Sequence, residues 1–108
     1  EERTLKFAGA VRAFVKMLPR SVANIEDGKQ LVRSSGSIGA NYIEANEALS
    51  KKDFVMRVKI ARKEAKESVY WLKLIEVHEP LEEKRTSLEQ EAVELTKILS
   101  SILLKSAE

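Results

Sequence analysis

Cysteine is absent from this chain of 108 residues, which also has only four glycines and two prolines. The lack of cysteine excludes disulfides, thiolate metal sites and cysteine nucleophiles from these residues, and it fits a reducing compartment. No apolar run approaches the ~20 residues that cross a bilayer, and the first residues show no signal-peptide pattern. We therefore expect a cytoplasmic location.

Aromatic residues make up 6% of the chain, whereas 44% of residues are hydrophobic and 33% are charged. Few aromatic residues, few glycines and abundant Ala, Leu, Glu and Lys argue against an all-β fold. The length suits one domain with a modest core. We expect residues 1–108 to form a single all-α domain.

Four segments carry apolar or small residues at alternating steps of three and four, which is the spacing of one helix face. Pro19 ends the first segment. Ser50 opens the third like a capping box, with Asp53 in place of the usual glutamate. The expected bounds are about Thr4–Leu18, Val22–Leu49, Ser50–Pro80 and Leu81–Ser106.

The connections between these segments are short. Short connections make neighbouring helices antiparallel, and four amphipathic helices with heptad-like seams pack as a bundle. The sequence therefore predicts an antiparallel, up-down-up-down four-helix bundle whose second and third helices are the longest.

The stretches SIGANYIEA, SKKDF and IARKEAKESVYWLKL occur in this order in the second and third segments. They resemble small bacterial four-helix-bundle proteins, some of which are encoded in intervening sequences within 23S ribosomal RNA genes. The matching residues are Ser37, Ile38, Asn41, Glu44, Ser50, Asp53, Phe54, Ala61, Glu64, Glu67, Trp71 and Leu72. Tyr42 departs from the pattern, because this family more often has an aliphatic residue directly after the asparagine.

The resemblance implies a four-helix bundle that assembles as a ring-like homopentamer and has no established enzymatic activity. Its motifs cover the second and third segments, and the flanking helices agree by pattern only. A distant relative with the same architecture is the accessory protein of diversity-generating retroelements, which binds nucleic acid and a reverse transcriptase. That last likeness is one of fold alone.

Small residues are concentrated in the middle of the second segment. We interpret Ser35, Gly36 and Gly39, with Trp71 of the third segment, as residues of helix packing or subunit contact. A phosphate-binding loop would need Gly-x-x-x-x-Gly-Lys-Ser/Thr, which is absent. A GxxG nucleic-acid clamp belongs to mixed α/β domains, and this chain shows no strands.

Asn41, Glu44 and Glu67 are polar residues beside the predicted seam. We interpret them as a semi-buried polar network that fixes helix register. The alternative is a carboxylate site for a metal or for acid–base chemistry. The only histidine, His78, has no glutamate three residues before it, so a di-metal bundle site is not expected. We expect no catalytic residue, no metal and no cofactor.

The third segment is rich in cations, and residues 50–79 carry a net charge of +3. Lysines at steps of seven, four and three form one stripe, which an anionic surface would recognise. The alternative is a solvated face balanced by glutamates of the fourth segment. The candidate nucleic-acid-binding residues are Lys52, Lys59, Arg62, Lys63 and Lys66, to which Arg12 and Lys16 of the first segment could add.

Two functions follow from these patterns. The first is a non-enzymatic homo-oligomer, a pentamer by the resemblance, that binds RNA or another nucleic acid through its basic face. The alternative is a protein-interaction scaffold or accessory subunit, for example of a reverse transcriptase, with no direct role in nucleic-acid binding.

Overall fold

The computed structural model describes residues 1–107 as four α-helices. They are α1 (Glu2–Lys16), α2 (Val22–Asn46), α3 (Lys51–Leu74) and α4 (Leu81–Ser106). No strand occurs in these residues, and the molecule measures 45 × 20 × 19 Å. The predicted all-α, four-helix fold is confirmed, although α4 is slightly longer than α2 and α3. No helix in the described part is long and apolar enough to cross a membrane.

The helices pack in a cycle around one core. α2 contacts α1 and α3, α4 contacts α3 and α1, and α1 does not touch α3, so α1 and α3 are diagonal. Contacts join the start of one helix to the end of the next at Thr4–Gly39, Val15–Gly28, Asn24–Glu76 and Asn41–Arg57. Helix α2 is therefore antiparallel to both α1 and α3.

All four helices contribute to the core. Its buried apolar members are Phe7, Val11, Phe14, Leu31, Ile38, Ala45, Val58, Ala61, Ala65, Leu72, Ile75, Ala92, Leu95 and Leu99. Alanines are numerous where α3 and α4 meet their neighbours. Small side chains let helix axes approach closely, so the core is narrow and depends on backbone proximity as well as on bulk.

Serine side chains cap the two central helices. The Ser21 Oγ accepts a hydrogen bond from the Asn24 backbone N–H at 3.1 Å, and the Ser50 Oγ accepts one from Asp53 at 3.1 Å. Each bond satisfies a backbone N–H that has no partner inside the helix. The predicted start of the third helix at Ser50 is thereby confirmed.

Two predicted helix ends are wrong. The second helix ends at Asn46, and Leu49 is fully exposed in the following connection. The third ends at Leu74 instead of continuing towards Pro80. There the Asn24 side chain donates to the Glu76 carbonyl at 3.1 Å and accepts from its N–H at 3.3 Å. Asn24 thus holds both backbone groups of Glu76 outside a helix.

Candidate nucleic-acid interface

One face of α3 is entirely exposed and turned away from the core. Its positions step by four, three, four, three and four, so they form a single line along the helix. We call it the α3 outer row, and its members are Lys52, Met56, Lys59, Lys63, Lys66 and Tyr70. Four of the six side chains are cations and none is acidic. The structure thus brings together four of the lysines that the sequence predicted.

The lysines of the α3 outer row form no ion pair with the residues that the structure describes. No carboxylate oxygen of residues 1–107 lies within 4.0 Å of any of the four ammonium groups. The glutamates of α4 therefore form no direct ion pair with these lysines. Lys59 and Lys63 are also one turn apart, a like-charge spacing that costs an isolated helix a few tenths of a kcal/mol.

Two of the three acids of α3, Glu64 and Glu67, contact Arg33 of α2. Arg33 donates to the two carboxylate oxygens of Glu64 at 3.0 and 3.3 Å and to Glu67 at 2.8 Å. Glu64 is buried, whereas Arg33 is about half exposed. The hydrogen bond to Glu64 raises the pKa of Arg33 above its ordinary value. These two glutamates are therefore paired with Arg33 and not with the lysines of the outer row.

Arg62, Arg12 and Lys16 lie outside the α3 outer row. Arg62 is half-buried beside it. Arg12 and Lys16 are exposed on α1, which does not touch α3. The Arg12 guanidinium instead lies over Gly36 of α2. Within one chain Arg12 and Lys16 do not extend the α3 outer row, because α1 and α3 occupy opposite corners of the bundle.

Two of the three residues predicted to form a polar network bond to a neighbouring helix, but not to each other. Asn41 accepts a hydrogen bond from Arg57 of α3 at 3.3 Å, and Glu67 is bound to Arg33. Glu44 is exposed and forms no side-chain hydrogen bond within residues 1–107. Glu44 therefore does not join Asn41 or Glu67, and three residues after Asn41 it lies about 60° round the helix from it.

The small residues of α2 lie at its contacts with both neighbouring helices. On the α1 side, a Cβ at Gly39 would lie 2.8 Å from the Thr4 Oγ1, and one at Gly36 would lie 3.4 Å from Arg12. Ser35 is buried and donates to the Val32 carbonyl at 3.2 Å. On the α3 side, Ser34 and Ser68 form a buried hydrogen bond of 2.9 Å.

Trp71 is half-buried on α3 and packs against the core. Its indole Nε1 is buried, and no hydrogen-bond acceptor for it lies within the described residues. The ring meets Tyr70 edge to face, with centroids 5.1 Å apart and planes at 74°. The Trp71 side chain thus joins the core to the end of the α3 outer row.

A groove of about 720 Å³ follows the outside of the α1–α2 contact. Its floor includes the small residues Gly9, Gly36 and Gly39, and the charged Glu1, Glu2 and Arg12 also line it. Leu5 and Ile43 flank the floor and are 73% and 48% exposed. Apolar side chains at this exposure beside a smooth floor are typical of surfaces that pack against another protein.

Reactive side chains are not clustered in the part of the chain that the structure describes. No group of three His, Cys, Asp or Glu residues could hold a metal ion there. His78 is exposed in the connection before α4. The buried polar groups Ser34, Ser68 and Glu64 are engaged in contacts between helices, and Asn24 binds the connection that follows α3. Their arrangement serves packing, and we can assemble no nucleophile–base pair from it.

Two residues important to this surface were missed from sequence. Arg33 is the cation that holds Glu64 and Glu67, and it directly precedes the small-residue stretch that drew attention instead. Tyr70 was not among the predicted site residues and directly precedes Trp71 of the family motif. Its signal was present, since it continues the lysine spacing four residues after Lys66.

Comparisons with known proteins agree with one another. The family model described as "23S rRNA-intervening sequence protein" matches residues 2–101. A crystal structure from Bacteroides thetaiotaomicron VPI-5482, of a protein with unknown function from the S23 ribosomal protein family, is similar with a TM-score of 0.81 and 34% identity. The match covers 94% of this chain and 95% of that one. No curated protein matches.

Proposed function

This chain belongs to the 23S rRNA-intervening sequence protein family, and from that premise we propose that it binds RNA or another nucleic acid through the α3 outer row. We propose further that it does so without catalysis, in the cytoplasm and as a homo-oligomer. The solved relative is of unknown function, so the proposal is supported by the surface of this chain.

The observation that carries the proposal is the unpaired state of the four lysines in the α3 outer row. Repulsion between lysines one turn apart destabilises the helix slightly, and a nearby anion relieves it. Phosphate groups supply such charge repeatedly along a nucleic-acid backbone. A lysine that binds a phosphate releases the counterions that had condensed on the nucleic acid. A row of cations with no carboxylate within reach suits this kind of ligand.

Binding to ribosomal RNA fragments across a salt series tests the proposal. Each phosphate contact to a single strand contributes a slope of about −0.7 to the plot of log affinity against log salt. Four lysine contacts therefore predict a slope of about −3 for the α3 outer row of one chain. Absence of binding at low salt, or affinity that is indifferent to salt, would contradict the proposal.

The groove between α1 and α2 supports homo-oligomerisation, with a second copy of this chain as its occupant. Five copies, the number that the resemblance implies, would multiply the α3 outer row and strengthen its field. Light scattering should then give about five times the chain mass of 12.2 kDa. A monomeric mass would contradict this part of the proposal.

A matched pair of variants locates the subunit contact. Ile43→Glu places a charge on the flank of the groove and should reduce the assembled mass. Leu49→Glu is the control, since Leu49 is fully exposed and outside the groove. Equal effects of the two changes would exclude the groove as the interface.

The alternative is a scaffold or accessory subunit that captures a partner protein and has no nucleic-acid role. The same α1–α2 groove is the observation that favours it. Changing Lys59, Lys63 and Lys66 to Glu separates the two functions. Nucleic-acid binding is abolished under the first proposal, whereas capture of a protein partner through the groove is unaffected under the second.

A further inference from the structure

Tyr70 is the one exposed aromatic residue of this protein, and 57% of its surface is accessible. The other five aromatic side chains are all within the described residues. Phe7 and Phe14 are buried, while Tyr42, Phe54 and Trp71 are half-buried and pack against the core. Tyr70 therefore contributes little to the core, and its ring is accessible to a ligand that binds the outer side of α3.

The position of Tyr70 links it to the cations. It ends the α3 outer row, one turn beyond Lys66 and two turns beyond Lys63. Its edge-to-face contact with Trp71 restrains the ring. A restrained aromatic ring loses less conformational entropy when a flat group stacks on it.

A second apolar position lies towards the other end of the same row. Met56 is 49% exposed between Lys52 and Lys59. It lines a hollow of about 520 Å³ together with those two lysines, Lys51 and Val55. From Lys52 to Tyr70 the row extends roughly 27 Å at about 1.5 Å per residue. The row thus combines four cations with two apolar positions, one between Lys52 and Lys59 and one at its end.

We propose that the α3 outer row binds single-stranded nucleic acid in preference to duplex, with a base stacked on Tyr70 and the adjoining phosphates on Lys66 and Lys63. This inference rests on the proposed function, because it needs the lysines to contact phosphates. An aromatic ring can stack only on a base whose face is free. Bases inside a duplex are covered on both faces, whereas those of a single strand are available.

The test compares wild-type protein with three variants on short probes of one length: oligouridine, oligothymidine and an RNA duplex. Tyr70→Ala removes the ring, and Tyr70→Phe keeps it. Leu74→Ala is the matched control, since Leu74 is also exposed one turn further along α3 and has no aromatic face. Trp71, the only tryptophan, lies close enough to Tyr70 for its fluorescence to report stacking.

We expect Tyr70→Ala to weaken binding of the oligonucleotides roughly five- to 150-fold, which is the range for loss of one stacked base. Duplex binding should change less than about twofold, because only phosphate contacts are used there. Tyr70→Phe and Leu74→Ala should resemble wild type. Oligouridine and oligothymidine should respond alike, since stacking does not require the 2′-hydroxyl.

Two different failures can be told apart. If wild-type protein binds with a salt-dependent affinity but prefers duplex, or if Tyr70→Ala binds oligonucleotides as wild type does, the stacking inference is overturned and the proposed function stands. If no probe shows salt-dependent binding, the proposed function fails and the inference fails with it.

Discussion

Arg33 on α2 donates to both carboxylate oxygens of Glu64 on α3, at 3.0 and 3.3 Å. The same guanidinium binds Glu67. Two of the acids of α3 are thereby engaged at the α2 contact, while the lysines on its outer side have no counterion. Spacing along α3 separates these acids from the lysines, and Arg33 engages the acids, so a basic surface remains on a protein of net charge +2.

Replacing Arg33 with alanine should destabilise the fold, because buried Glu64 would lose its charged partner. We expect urea denaturation to show a loss of about 1–3 kcal/mol in the free energy of unfolding. Lys29→Ala is the control, since Lys29 pairs with Glu26 at 3.7 Å on the surface and such pairs contribute less than about 1 kcal/mol. Equal losses of unfolding free energy in the two variants would show that the Arg33 contact stabilises the fold no more than a surface ion pair does.

Gly39→Leu should destabilise the α1–α2 contact by overpacking. Even a Cβ there would lie 2.8 Å from the Thr4 Oγ1 and 3.2 Å from the Thr4 Cβ, and overpacking typically costs about 1–3 kcal/mol. Gly9→Ala is the counterpart, because nothing lies within 4 Å of its added Cβ. It should stabilise α1 by about 0.5–1 kcal/mol. Thermal unfolding of the two variants should move in opposite directions.

Ser34 and Ser68 should show strong coupling in a double-mutant cycle. Removing either hydroxyl takes away the 2.9 Å partner of the other, so each single change to alanine should cost about 1–2 kcal/mol. Changing both removes the buried polar pair together and should cost less than the sum of the single changes. Strictly additive losses in chemical denaturation would mean that the hydroxyls do not depend on each other.

Stability at acid pH should depend on the Arg3–Glu91 pair. The hydrogen bond from Arg3 lowers the pKa of Glu91 below its ordinary value of 4.5. Ionised Glu91 therefore contributes fully to the free energy of unfolding above pH 4.5. That contribution is lost as the pH falls through the lowered pKa of Glu91. Wild type should melt higher than Glu91→Gln at neutral pH, and the two melting temperatures should converge in acid. A difference that persists unchanged in acid would contradict this.

Much of the fold could be predicted from the sequence, because it follows from local rules. Apolar spacing, Pro19 and the capping serine Ser50 indicated four helices and most of their ends. The end of α3 could not be predicted in this way, since it depends on Asn24, which is about fifty residues away along the chain. Leu49 was misplaced because its spacing continued the pattern beyond the point where α2 stops.

The candidate site was predictable only as far as one helix determines it. The lysines of α3 share a face by spacing alone, and the structure places them together. Whether Arg12 could join them depended on which helices are neighbours, and whether Glu44 could join Asn41 depended on the rotation of α2. Predicting the contacts of Arg33 would have required both the identity of the neighbouring helices and the rotation of α2. These contacts depend on how the helices pack against one another, and the spacing of residues within one helix does not determine that packing.

The most direct test of the proposed function compares two variants of equal charge on a single-stranded RNA probe. In one, Lys59, Lys63 and Lys66 of the α3 outer row become Gln. In the other, Lys84, Lys97 and Lys105 of α4, all exposed, become Gln, so both lose three positive charges. The proposal predicts that the first variant loses about 2 units of salt slope, at about 0.7 per contact, while the second binds as wild type does. Equal slopes in the two variants would contradict it.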